Sequence, residues 1–186
     1  IFLIVDLNQF SVIIISYNTS KITLQCIESI YKTCEEEQFE IIVVDNASKD
    51  NSVSIIQSEY PEVKIILNKE NFGYAKAANV GVSVANSENI IVSNSDIIFL
   101  PNSIQYLIKY LKNNAKAGIV GPQQLFPNGQ IQYSYNDIPG VKRSLKELFF
   151  INTFKPVINN IKYKLKIYQK PKKVGYLDGG VNLIRK

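Results

Sequence analysis

Four short apolar runs, each ending in polar residues and each followed by a helical pattern, leave this chain few folds to choose from. Residues 11–18 read Ser-Val-Ile-Ile-Ile-Ser-Tyr-Asn. The run is β-branched and does not alternate, which suits a strand covered on both faces. Glu40-Ile-Ile-Val-Val-Asp45 repeats the pattern, Val63 to Leu67 gives a third strand, and Ile90 to Val92 gives a fourth. Between them lie helices. Thr19 or Ser20 caps the first, where Leu24, Ile27, Tyr31 and Cys34 recur at helical spacing. Ser48 or Asp50 starts a second, with Val53, Ile56 and Tyr60 on one face and Pro61 at its end. Gly73 to Ala85 is a helix of small residues, able to lie close against a sheet, and the helix after Pro101 carries Ile104, Leu107, Ile108 and Leu111. Four strand–helix units in succession predict an α/β fold: a mostly parallel, Rossmann-like sheet with right-handed crossovers laying helices on both faces.

From Gly118 the texture changes. Pro127-Asn128-Gly129 is a hairpin-type turn. Residues 142–170 read as basic helices broken near Pro156, and Val174 to Ile184 reads as a final strand with a bulge at Gly179-Gly180. The expected organisation is an α/β half, 1–122, followed within the same domain by an irregular region, 123–186.

Composition matters mainly for what it excludes. The chain has no histidine, so zinc sites of the usual His/Cys kind are ruled out and a metal must be held by oxygen ligands, which points to magnesium, manganese or calcium. Base chemistry then falls to a carboxylate. Cys26 and Cys34 lie eight residues apart in one predicted helix, about 12 Å of rise and too far for a disulfide; reduced core thiols fit a cytoplasmic protein. No apolar run approaches a membrane span. Charge is uneven: residues 1–141 carry 9 basic and 14 acidic side chains, residues 142–186 carry 12 and 2. That asymmetry turns the later segment toward something anionic, although a solvated basic helix face would look the same.

The chemistry-bearing residues gather where the strands end: Tyr17 and Asn18, Asp45 and Asn46, Asn68 and Asn71, and Asp96 after Ser93-Asn94-Ser95. In a parallel sheet these ends open to one side, so the set converges on one crevice. No glycine-rich phosphate loop follows the first strand, which argues against a dinucleotide site or a P-loop. Tyr17 offers a flat ring for a nucleobase, Asp45 an acceptor for a base N–H or ribose hydroxyl, and Asp96 a hard oxygen for a cation bridging a diphosphate. The Asn71-Phe72-Gly73 turn opens a helix whose first amides favour an anion. Each residue alone serves equally well as a cap or turn former; together they predict a nucleotide-diphosphate site.

The blocks Ser-Val-Ile-Ile-Ile-Ser-Tyr-Asn, Ile-Ile-Val-Val-Asp-Asn-Ala-Ser-Lys-Asp, Asn-Lys-Glu-Asn-Phe-Gly-Tyr-Ala-Lys-Ala-Ala-Asn-Val-Gly and Ser-Asn-Ser-Asp resemble those of family 2 glycosyltransferases, in the family's order across residues 11–122. The nearest flavour is the rhamnosyltransferase-like branch, whose metal motif is often Asn-x-Asp. The resemblance implies the A-type glycosyltransferase, or nucleotide-diphospho-sugar transferase, fold, with the irregular region on the acceptor side. It matches Tyr17 and Asp45 to nucleoside binding and Asp96 to the last carboxylate of the metal motif. Asn94 stands where many relatives have a first Asp, and Lys76 falls in a block that contributes to the nucleotide pocket. With Asn18, Asn71 and Gly73, these make the expected nucleotide site, and Asp96 the ligand of a divalent cation, Mg or Mn.

The resemblance further implies inversion at the anomeric carbon, with the cation stabilising the leaving nucleotide diphosphate and an Asp or Glu deprotonating the acceptor. Leu-Asp-Gly-Gly-Val-Asn-Leu-Ile-Arg-Lys is similar to the strand that precedes the family's catalytic base, so the base motif is expected beyond Lys186 and no catalytic residue is assigned; Asp178 is the one nearby carboxylate, and the family gives no reason to promote it. The expected partners are a nucleotide-diphosphate sugar and a glycan or lipid-linked acceptor in cell-surface polysaccharide synthesis, with residues 142–173 making peripheral contact at the inner membrane face. The alternative is a nucleotide-binding module without turnover. A nucleic-acid binder built on the basic segment leaves the strand-end cluster unexplained.

Overall fold

The computed structural model describes residues 9–34, 38–132, 134–136, 138 and 171–186. The described chain runs β1 (Phe10–Ser16), α1 (Ser20–Thr33), β2 (Phe39–Asp45), α2 (Ser52–Glu59), β3 (Lys64–Leu67), α3 (Gly73–Val84), β4 (Asn89–Asn94), α4 (Ser103–Asn113) and β5 (Ile119–Val120). The short strands β6 (Gln124–Leu125), β7 (Ile131–Gln132), β8 (Tyr135–Asn136) and β9 (Tyr176–Leu177) follow, and β10 (Val181–Arg185) is last. They form two compact units: the described residues up to Gly121 with Gly180–Lys186, and the described residues from Pro122 to Gly179. The basic helices expected over 142–170 lie outside the described residues, as does the start of the chain.

In the first unit the sheet order is β3-β2-β1-β4-β10-β5. The first four strands are parallel, and β10 runs antiparallel to both β4 and β5. The expected α/β architecture is therefore present, with one antiparallel insertion. Both faces are covered. Phe10, Val12 and Ile14 pack under α1, α2 and α4 through Ile27, Ile30, Ile56, Ile104, Leu107 and Leu111. Ile13 and Ile15 face the other way, with Ile42, Val44, Ile90 and Val92, against Ala77 of α3. A strand buried on two sides has no reason to alternate, which is why β1 reads as an unbroken apolar run.

The small residues of α3 serve close approach. A Cβ on Gly81 would collide with the Ile13 side chain and come within 3.2 Å of Val44 Cγ2, so this helix sits against β1 and β2 because position 81 has no side chain. At the other end of the unit, Arg185 donates to the carbonyls of Leu111 and Ala115, and Lys186 Nζ donates to Ala85 O at 3.2 Å. Side chains at the end of β10 and just after it thus bond to carbonyls at the C-terminal ends of α4 and α3.

One expectation needed correction. Val174 to Ile184 is not one bulged strand: β9 pairs with β8, β10 pairs with β4, and Gly179-Gly180 is the turn between two different sheets. The apolar run after Asp96, Ile97 to Leu100, forms no strand. Its backbone is held by side chains of α1, with Ser29 Oγ accepting from Phe99 N at 3.0 Å and Thr33 Oγ1 donating to Phe99 O at 3.3 Å. In the second unit, β6 and β7 form the expected hairpin around Pro127-Asn128-Gly129, with Gly129 at φ +77. Among the described residues no helix is long and apolar enough to cross a membrane. Cys26 and Cys34 are both buried thiols, one within α1 and one at its C-terminal cap.

Candidate active site

The carboxyl ends of the parallel strands are aligned by register. Ser16 pairs with Asp45, Asp45 with Leu67, and Ile15 with Asn94. Asp45 and Ser95 therefore stand level with Ser16, on either side of it and two strand spacings, ~10 Å, apart. Tyr17, Asn46 and Asp96 are the next residues out.

Asp45 is 3% exposed, and its two oxygens differ. Oδ2 accepts from Ser48 N at 2.9 Å, which turns the chain after β2. Oδ1 is buried without a partner among the described residues. A buried acceptor left unmatched costs about 1–3 kcal/mol, so such an atom points to a donor that arrives from outside. Asn46 beside it is also 3% exposed. Its Oδ1 accepts from Asn68 Nδ2 at 2.8 Å and its Nδ2 reaches Gly73 O at 3.4 Å, joining the ends of β2 and β3 to the start of α3.

Asn18 adopts φ 54 and knits two loops together. Its N–H donates to Ser48 Oγ at 2.9 Å and its Oδ1 accepts from Lys49 N at 2.7 Å. Asp50, from the same second loop, accepts from Ser20 N at 3.2 Å and from Ser52 N at 3.1 Å, so one carboxylate caps the first turns of both α1 and α2. These hydrogen bonds, that from the Ser52 hydroxyl foremost, hold the Asp50 carboxyl below its ordinary value. Tyr17 stands 44% exposed beside these loops. Asn71 Oδ1 accepts from Gly73 N at 2.9 Å, Gly73 takes φ +73, and Lys76 Nζ lies 3.5 Å from the centroid of the Phe72 ring.

The end of β4 is built differently. Asn94 N donates to Gly180 O at 2.9 Å, and Asn94 O accepts from Ser93 Oγ at 2.9 Å. Cys26 Sγ lies 3.9 Å from the same carbonyl. Burial, with the Asp96 charge adding to it, pushes the Cys26 thiol up to about 12, so it is neutral at physiological pH. Asp96 itself is exposed and accepts no hydrogen bond among the described residues. The chemistry of Asp96 suits a hard cation, with a carboxylate oxygen in reach of water and the Asn94 amide two residues before it; no group of three His, Cys, Asp or Glu stands together among the described residues. Asp96 would be the protein's main ligand.

All eight residues singled out from the sequence belong to the first unit, and hydrogen bonds link most of their loops. Asn18, Asn46, Asn68 and Asn71 make several of those links; the sequence did not mark out the other residues that make them. Thr19 is the N-cap of α1 but makes no capping bond with its side chain; its Oγ1 lies 3.0 Å from Ser95 Oγ. Ser48 and Asp50 were legible only as helix starts. Hydroxyls and short acids after strands are generic cap formers, so nothing in the sequence distinguished these from the rest.

Comparison with known proteins agrees with this frame. The chain is 33% identical to glycosyltransferase GlyG of Streptococcus pneumoniae over 114 residues, 60% of this chain and 38% of that protein. It is 30% identical to the undecaprenyl-phosphate 4-deoxy-4-formamido-L-arabinose transferase of Proteus mirabilis over 109 residues, 55% of this chain and 33% of that one. The chain thus spans little more than a third of the length of these relatives. Its fold is shared with the mannosyltransferase PcManGT from Pyrobaculum calidifontis, solved with GDP-Man and Mn2+ (TM-score 0.56, 22% identity, 67% of this chain and 37% of that one). It is shared equally with S. aureus TarS 1–349 in complex with UDP (TM-score 0.58, 22% identity, 68% and 38%). The sequence model of Glycosyl transferase family 2 matches residues 11–186, and the chain belongs to that family.

Proposed function

We propose that this chain carries the donor site of an inverting, cation-assisted glycosyltransferase. The enzyme moves a sugar from a nucleotide-diphosphate donor to a glycan or lipid-linked acceptor in cell-surface polysaccharide synthesis. The observation that carries the reading is a pair of unlike carboxylates at the ends of β2 and β4, on either side of β1: among the described residues the buried one has an unmatched oxygen and the exposed one accepts no hydrogen bond. The first suits a base N–H, the second a hydrated cation. Two structural neighbours of the same fold were solved with GDP-Man and Mn2+ and with UDP, which supports this choice of donor.

In this reading the Tyr17 ring stacks on the base and Asp45 Oδ1 accepts its N–H. Asn18, already fixed by its own backbone contacts, lines the nucleoside. Asn71 and Gly73 set the first turn of α3 toward the diphosphate, with Lys76 contributing positive charge. Asp96, with Asn94, would hold Mg or Mn. When bound, such a cation neutralises charge on the departing diphosphate. The base that deprotonates the acceptor is assigned to no described residue.

Titration of UDP and GDP into the protein, with and without Mn2+, tests the reading. One of the two should bind, more tightly with Mn2+, and Asp96→Ala should remove the gain. An Asp96→Ala protein that keeps the gain would overturn it. Binding without any sugar transfer from the matching donor would favour a nucleotide-binding module instead.

A further inference from the structure

Under the Ser95–Asp96 turn lies a cluster of four hydroxyls drawn from three elements. Ser16 Oγ is 3.0 Å from Thr23 Oγ1 and 3.2 Å from Thr19 Oγ1. Thr19 Oγ1 is 3.1 Å from Thr23 Oγ1 and 3.0 Å from Ser95 Oγ. Thr23 Oγ1 also donates to Thr19 O at 2.8 Å. Ser16, Thr23 and Ser95 are all buried, at 1%, 0% and 8% exposure, while Thr19 is half-buried.

Counting protons gives the cluster a direction. Thr23 spends its proton on the Thr19 carbonyl and so only accepts from its hydroxyl neighbours. Among the described residues Ser95 meets no hydroxyl but that of Thr19, so an arrangement that uses every proton within the cluster has Ser95 donating to Thr19. Thr19 and Ser16 must then pass their protons inward, to Thr23 or to each other. Thr19 is the joint: it accepts from the turn and donates into the core.

We infer that this hydroxyl relay fixes the turn that carries Asp96, and that Thr19 is a positioning residue for cation binding. The inference rests on the reading of Asp96 as the cation's ligand. Asp96 accepts no hydrogen bond among the described residues, and the side-chain amide of Asn94 makes none there either. Before the turn Asn94 N is tied to Gly180 O; after it the Ile97 backbone meets the Cys26 thiol and Phe99 is tied to Ser29 and Thr33. Within the turn the side-chain anchor is Ser95 to Thr19. A ligand carboxylate on an unanchored turn would have to be ordered when the metal binds, and supporting groups of this kind are worth ~10–100-fold in metal affinity.

Thr19→Val keeps the shape and removes the acceptor; Thr19→Ser keeps the hydroxyl. In Thr19→Val the Mn2+-dependent gain in UDP or GDP affinity should fall ~10-fold or more, with metal-free nucleotide affinity unchanged and Thr19→Ser close to wild type. Amide hydrogen exchange on the nucleotide-free protein gives an independent readout. The amides of residues 95–97 should exchange at least ~10-fold faster in Thr19→Val than in wild type or Thr19→Ser, because the local opening equilibrium has lost its anchor. Unchanged exchange overturns the relay whatever Asp96 does. Faster exchange with an intact Mn2+ gain overturns the positioning role. If Asp96→Ala itself keeps the wild-type gain, the reading of Asp96 fails, and the link from Thr19 to the cation fails with it.

Discussion

The ends of β2 and β4 lie on either side of Ser16, and each carries one acid, yet they are constructed on opposite principles. At β2 the carboxylate is enclosed: Asp45 is 3% exposed, one oxygen closes a turn onto Ser48, and the other is buried with no partner among the described residues. At β4 the carboxylate is presented: Asp96 is exposed, and the residues around it, not its own oxygens, hold it in place. A desolvated acceptor discriminates between ligands by whether they bring a donor, since a mismatch leaves a polar atom unpaired. An exposed carboxylate cannot discriminate so finely, but it can exchange water for a cation at little desolvation cost. One end is suited to recognition, the other to charge.

The sharpest way to break this comparison is to change one acid at a time and follow nucleotide binding with and without Mn2+. Asp96→Ala should erase the metal-dependent gain, an effect larger than the ~10–100-fold of a mere supporting group, and leave metal-free binding alone. Asp45→Asn should do the reverse. The amide oxygen can still take the Ser48 N–H, which turns the NH2 group toward the site, where a base N–H would meet a donor. Affinity should fall by about 10–150-fold, the value of one hydrogen bond to a charged group, equally in the presence and absence of metal. The folded state should change little in stability, because one buried unmatched polar atom replaces another and the buried negative charge is lost. Isothermal titration and a denaturant midpoint on the same sample check both halves.

The same contrast explains what the sequence could disclose. The strands were legible because a doubly covered strand must be apolar at every position, and Ile13-Ile14-Ile15 or Ile41 to Val44 could hardly be anything else. The acids at strand ends were legible because Asp45 and Asp96 interrupt those runs. The insertion of β10 between β4 and β5 was not, since pairing of residues 181–185 with 89–93 is a tertiary choice with no local signature. The run Ile97 to Leu100 looks like a strand to any local rule, but α1 side chains take up the Phe99 backbone bonds instead. Thr19 read as an ordinary cap. That its hydroxyl turns inward depends on Ser95, which lies 76 residues away in sequence.

A smaller effect separates the two ends through the scaffold beneath them. Gly81 lies against Ile13 of β1 and Val44 of β2, next to Asp45 in sequence. Gly81→Ala should force α3 outward and cost about 1–3 kcal/mol of stability by overpacking, seen as a lower denaturant midpoint at constant slope. If β2 and β4 are held independently, nucleotide affinity without metal should weaken more than the Mn2+ gain. Equal loss of both would mean that the two ends move as one body.

The smallest effect comes from Asp50, whose carboxylate caps α1 and α2 and thereby aligns the loops that flank Asp45. Its pKa is lowered from 3.8 by the hydrogen bonds it accepts, that of the Ser52 hydroxyl first. A carboxyl depressed on folding adds stability that is fully present above its unfolded value and is lost as pH falls through the folded one. Asp50→Ala should therefore cost about 0.5–1 kcal/mol at pH 7, the range of a lost cap on a surface open to solvent. The gap between variant and wild type should narrow as pH drops below 3.8. Because Asp50 also bonds to Ser20, next to Thr19, the variant asks whether the enclosed and the presented acids share a support. A loss of metal-free nucleotide affinity without any change in the Mn2+ gain would place Asp50 on the β2 side alone, and would leave the hydroxyls under Ser95 as the separate foundation of the β4 turn.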